Sequence, residues 1–312
     1  MINIKLNPLW SKTVLIITFG FLLLLSLYVL TDPVGSAEKL LNIYTFFSVN
    51  FELFYLYFSF SVLIILIYIA FSSTGSKKIL LKGKKNYSYF SWCAMLFATG
   101  MGAALLYWST YEWLVYYTNP LTGQAKSLLN ARSYPMFHWM FTGWSLYILP
   151  TVAFVLSLMR NSNTPLTFSG ILLKKQSGPL RVILDIFFIG AILTGAGVGL
   201  ALSFPLMSAS ISKLFNLNQS LFLDFIMLML CMLIVCISVY KGLQKGIKRL
   251  SNLNIVLVII FLLLILITGP TKYIILNTIE PVYYVIKNYL SLSLVKSEYS
   301  LDWTVFYWAW YI

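Results

Sequence analysis

The chain has 312 residues, 60% of them apolar and only 10% charged, with a mean hydropathy of +0.84. A soluble domain carries about 25% charged residues, so this balance excludes a water-soluble enzyme or binding module and indicates a polytopic membrane protein. The net charge of +13 has no soluble basic face on which to meet nucleic acid, and its distribution reads as membrane topology.

Crossing some 30 Å of hydrocarbon takes about 18 or more apolar residues. Runs of that kind lie near residues 13–30, 51–72, 89–117, 136–159, 182–212, 221–240 and 252–269, and an eighth begins near Trp303. The first run has no small-residue cleavage site after it, and Asp32-Pro33-Val34-Gly35 reads as a turn, so a retained membrane helix is expected, not a removed signal peptide. Lys5, Lys12, the lysines from Lys77 to Lys85, Arg160, Lys174, Lys175, Arg181, Lys241, Lys245, Lys248 and Arg249 fall on one side of the alternation. The other side carries fewer cations, offset by acids. By the positive-inside rule the amino terminus is cytoplasmic and the protein lies in the cell membrane. Between Thr271 and Ser300, Val282, Val285, Ile286 and Tyr289 recur at helical spacing, which predicts an amphipathic helix along the outer surface of the lipid bilayer. Cys93, Cys231 and Cys236 sit in apolar runs and read as free thiols.

Four segments could carry chemistry. In the third run, Gly100 and Gly102 flank Met101. A broken helix there would offer backbone carbonyls to a cation, although close packing by small residues is the simpler account on the residues alone. Further along stands Glu112, a candidate functional acid or else a solvated glutamate near the outer end. The fourth run contains Trp139, Trp144 and Tyr147, spaced to occupy neighbouring parts of one helix surface. Aromatic faces of this kind hold a quaternary ammonium, which has no N–H to donate. Taken alone, the segment also fits an interfacial aromatic belt. His138, the only histidine, reads as a structural hydrogen-bonding residue. Gly195-Ala196-Gly197-Val198-Gly199 lies mid-run with no strand before it, so helix packing or local unwinding is expected and a dinucleotide loop is not. No cluster of histidine, carboxylate or cysteine stands at catalytic spacing, so the chain is not expected to be an enzyme.

These segments together resemble the betaine/choline/carnitine transporter family. The resemblance rests on Gly100-Met101-Gly102 with Leu106-Tyr107-Trp108 and Glu112, on Phe137-His138-Trp139 with Trp144 and Tyr147, on Gly242-Leu243-Gln244-Lys245-Gly246-Ile247-Lys248, and on the closing run Trp303-Thr304-Val305-Phe306-Tyr307-Trp308-Ala309-Trp310. It implies an all-α fold of two inverted five-helix repeats. Residues 1–88 would hold two peripheral helices and a basic cytoplasmic loop, 89–270 the complete first repeat, 271–300 the surface helix, and 301–312 the start of the second repeat.

The resemblance also implies a substrate box of Trp139, Trp144, Tyr147, Trp310 and Tyr311, where Tyr311 replaces a usual tryptophan. A coupling sodium would meet backbone carbonyls of Ala98 and Met101 beside Gly100 and Gly102, with no other cofactor. Ala104 stands where some choline carriers have aspartate, which favours a zwitterion such as glycine betaine. Carnitine exchangers use a tyrosine at the position of Val115, with Tyr116 next to it here. The expected function is uptake of a quaternary ammonium osmoprotectant by sodium- or proton-coupled symport with alternating access, in a homotrimer. The alternatives are a sodium-independent carnitine-type exchanger and a truncated, transport-incompetent fragment, since the sequence stops within the eighth run.

Overall fold

The computed structural model describes residues 12–77, 87–100, 103–120, 125–160, 167–173, 178–294 and 304–311, the side chains of 99, 100, 103, 104, 106, 310 and 311 excepted. It is all-α, with no strand among the described residues. The helices are α1 (Lys12–Thr31), α2 (Pro33–Asn50), α3 (Glu52–Phe71), α4 (Tyr89–Gly100), α5 (Ala103–Thr118), α6 (Leu128–Trp139), α7 (Phe141–Arg160), α8 (Phe168–Leu172), α9 (Pro179–Phe215) and α10 (Leu221–Tyr240). A π-helical turn at Leu243–Ile247 leads into α11 (Lys248–Thr268), then α12 (Thr271–Lys287), α13 (Tyr289–Leu294) and α14 (Val305–Tyr311).

Six stretches among the described residues are long and apolar enough to cross a membrane: α1, α3, α6 with α7, α9, α10, and the π turn with α11. Their outward faces carry exposed Leu24, Phe187, Phe222 and Leu257, as expected where lipid is the solvent and each helix satisfies its own backbone. The third apolar run is shared by α4 and α5, each shorter than a full crossing; Met101 and Gly102 between them lie outside the described residues. At 1.5 Å per residue α9 extends about 55 Å, well beyond the hydrocarbon thickness.

Three expectations change. Asp32-Pro33 is not a free turn: the Asp32 side chain accepts the Gly35 N–H, and Pro33 opens α2. A capping acid followed by proline at the first helical position is a helix start. Gly195, Gly197 and Gly199 sit in an unbroken α9, and a Cβ added at any of them would meet nothing within 4 Å, so neither unwinding nor close packing accounts for them. The fourth run is not one helix. It breaks at Met140, whose φ of −90° and ψ of −125° end α6 before α7 begins at Phe141.

The principal core forms where α14 meets α3, α6, α7 and α12, and it buries Leu56, Val62, Phe137, Leu146, Val285, Tyr307 and Trp308. The amphipathic helix is present as α12, with Pro281 and Val285 on its buried face. Arg132 on α6 fastens it, donating to Tyr273 at 2.7 Å and to Asn277 while its guanidinium lies 5.5 Å from the Tyr273 ring centre. Burial pushes the Tyr289 phenol on α13 above its ordinary value, opposed by hydrogen bonds to Thr142.

Candidate functional site

The break at Met140 places the predicted aromatics on two surfaces. On the α7 side, Trp144 stacks on Phe97 of α4, with ring centres 6.2 Å apart and planes within 15°, and lies 6.3 Å from Tyr147, which is solvent- or lipid-accessible. On the α6 side, half-buried Trp139 meets Tyr307 of α14 edge-on at 5.4 Å. The helix ends at Trp139, so its indole is carried on a final turn whose last carbonyls have no intrahelical partner. The predicted partners Trp310 and Tyr311 belong to α14, but their side chains lie outside the described residues.

Beneath Trp139 is a hydrogen-bonded cluster centred on Glu112, a carboxylate with no exposed surface. Its Oε2 accepts the Trp139 indole N–H at 3.0 Å and the Tyr307 hydroxyl at 2.8 Å. Its Oε1 accepts the Tyr116 hydroxyl at 3.2 Å and lies 3.1 Å from His138 Nδ1. On its other side His138 reaches Thr304 Oγ1 through Nε2 at 3.0 Å, and its ring stacks on Tyr307 at 4.8 Å. A carboxyl group has about four lone-pair positions, and four side chains converge on this one. The Tyr116 hydroxyl also lies 3.1 Å from His138 Nδ1, so Glu112 Oε1, Tyr116 and His138 Nδ1 form one three-centred contact in which the histidine tautomer sets which group donates.

Glu112 is thus not the solvated glutamate that its place near the end of an apolar run allows. A buried acid in a membrane protein needs its polar atoms satisfied, and both carboxyl oxygens of Glu112 have hydrogen-bonding partners. Sequence reasoning placed His138 as a hydrogen-bonding residue but not its partners, and it did not single out Tyr116, Thr304 or Tyr307 as members of the site. The available signal was indirect: Glu112 and Tyr116 are one helical turn apart on α5, and Tyr307 belongs to the aromatic run already marked by Trp310.

Ala98 stands in the last turn of α4, half-buried, lining a cavity of about 650 Å³ with Trp92, Met95, Ser238, Ser251 and Asn254 from α4, α10 and α11. Hard cations take oxygen ligands, and the closing carbonyls of a helix are the ones left over by its i→i+4 pattern. Gly100 ends α4, whereas Met101 and Gly102 lie outside the described residues. Among those residues no three of His, Cys, Asp and Glu converge as a transition-metal site would require.

The family model for betaine/carnitine/choline transporters matches residues 13–312. The glycine betaine/proline/choline/ectoine transporter of Vibrio parahaemolyticus is 31% identical over 98% of this chain and 56% of its own length. The high-affinity choline transport protein of Escherichia coli K12 is 29% identical over 99% of this chain and 47% of its own. For the glycine betaine transporter OpuD of Bacillus subtilis the figures are 28%, 86% and 55%. The chain spans about half the length of these curated relatives. All three are named as transporters, of glycine betaine or choline and in the first case of proline and ectoine as well. The chain belongs to the betaine/carnitine/choline family of transporters.

Proposed function

We propose that the protein carrying this chain takes up a zwitterionic quaternary ammonium compound such as glycine betaine, by sodium-coupled alternating access across the cell membrane. The observation that carries the reading is Trp139: a half-buried indole at the carboxyl end of α6, hydrogen-bonded to a buried carboxyl group and backed by Tyr307. A trimethylammonium group is a cation without a proton to donate, and the attraction of a desolvated aromatic face is worth about 2 kcal/mol. Trp144 and Tyr147 supply further rings across the break, and Trp310 and Tyr311 stand on α14 in the same role.

Two details favour a betaine over its alternatives. Ala104 offers no carboxylate to a bare cation such as choline. Tyr116, beside the position used by carnitine exchangers, is committed elsewhere: it is buried, stacked on Tyr134 at 5.2 Å and hydrogen-bonded to Glu112. Gly100 and Gly102, with Ala98 in the last turn of α4, favour sodium as the coupling ion. The amino terminus is cytoplasmic in this reading.

The test is uptake of radiolabelled glycine betaine by cells expressing the protein in its natural reading frame. Saturable uptake that falls at least about tenfold when potassium replaces sodium is expected. Equal uptake in potassium that collapses with a protonophore would replace sodium by protons in the mechanism. No uptake of betaine, choline or carnitine would remove the substrate assignment.

A further inference from the structure

We infer that Glu112 is a positioning residue for substrate recognition, acting through Trp139 and Tyr307. This rests on the reading of Trp139 as a wall of the site. The carboxylate gives one oxygen, Oε2, to both the Trp139 indole and the Tyr307 hydroxyl, so the two rings that meet at 5.4 Å hang from a single atom. The other oxygen is held by Tyr116, one turn along α5, and by His138, the neighbour of Trp139 on α6. His138 is held in turn by Thr304 at the entry to α14. Three helices thus converge on one buried carboxyl group: α5 supplies the acceptor, α6 the wall residue, and α14 its backing.

The arrangement does something that packing alone would not. An indole lying at a helix terminus can turn about χ1 and χ2; the hydrogen bond to Oε2 selects one orientation of its face. Because Tyr307 shares that oxygen, displacement of α14 loosens Trp139 as well. The grip on the substrate is thereby linked to the position of the helix that follows the surface element α12.

Glutamine at position 112 keeps the shape but has one acceptor oxygen in place of two, and its amide N–H groups would oppose donors that now meet the carboxyl group. In the full-length protein, Glu112→Gln is expected to raise the KM for glycine betaine about tenfold, with kcat changed by less than about threefold at matched surface amounts. Trp139→Phe keeps a ring and removes the donor, and Tyr307→Phe removes the other; each is expected to raise KM about three- to fivefold. The deciding readout is coupling. Since all three substitutions release the same restraint, Glu112→Gln combined with Trp139→Phe should match Glu112→Gln alone within about twofold. If Glu112→Gln fails to reach the membrane, the Trp139→Phe and Tyr307→Phe pair forms the same cycle through the shared oxygen. Multiplicative effects in the cycle, or a loss confined to kcat, would overturn the positioning role. Trp139→Ala with unchanged KM would instead remove the aromatic wall, a separate failure.

Discussion

Trp139→Ala should raise the half-saturation concentration for glycine betaine about thirtyfold, the equivalent of roughly 2 kcal/mol of desolvated cation–π attraction. The effect is expected in KM, because in the proposed reading the ring meets the trimethylammonium group in the ground state as well as in the occluded state. Trp139 should outrank Trp144 and Tyr147. Its ring is held by an N–H bond to a buried carboxyl oxygen, whereas Trp144 stacks on Phe97, a residue that could take over part of its contact. Tyr147 is 43% exposed and should be the mildest of the three. Uptake kinetics at equal membrane amounts check this ranking. A Trp139→Ala protein with wild-type KM would show that the substrate is held elsewhere.

That ranking could not be read from the sequence, and the reason is local. Trp139, Trp144 and Tyr147 were legible as an aromatic group because composition and spacing mark them. Whether they share one surface depends on the backbone at Met140, and neither glycine nor proline stands there to announce the break. Phe137, His138 and Trp139 read as three consecutive positions on a helix that simply continues. The structure divides them instead, sending Phe137 into the core against Trp308, His138 to one oxygen of Glu112, and Trp139 to the other oxygen, edge-on to Tyr307.

The membrane-crossing architecture, by contrast, was almost wholly legible. Hydrophobic length is a one-dimensional property, and among the described residues each of the seven full apolar runs falls on helix, the third divided between α4 and α5 and the fourth between α6 and α7. The role of Glu112 is a three-dimensional property. Its partners lie 4, 26, 27 and 195 residues away in sequence, so nothing near it signals that the carboxylate is enclosed. Asp32-Pro33 shows the opposite error, where a local signal was present and was read as a turn when it meant a helix start.

The second large effect concerns stability, at the turn from α10 into α11. Gly242 caps the start of the π-helical turn and Gly246 lies inside it, and they are required for different reasons. Gly242 has φ +74° and ψ 177°, a region that side chains with a Cβ rarely enter, but open space surrounds it. Alanine there should cost about 1–2 kcal/mol in backbone strain. Gly246 has ordinary helical surroundings and no room. A Cβ would lie 2.7 Å from the Ser238 carbonyl carbon and 3.0 Å from its Cα, and closer still to the carbonyl oxygen. These are backbone atoms of the last turns of α10, so no side chain can rotate away. Relief would require the π turn to lift off α10, parting the two spans at their junction. Gly246→Ala is therefore expected to destabilise by about 3 kcal/mol, the upper end of the overpacking range, and Lys245→Ala, on the exposed side of the same turn, by less than about 0.5 kcal/mol. The measurement is the monodisperse fraction of tagged protein on gel filtration after mild heating in detergent. The expected order of loss is Gly246→Ala, then Gly242→Ala, then Lys245→Ala. Wild-type behaviour of Gly246→Ala would mean that the turn does not press against α10, and the glycine would then need another explanation.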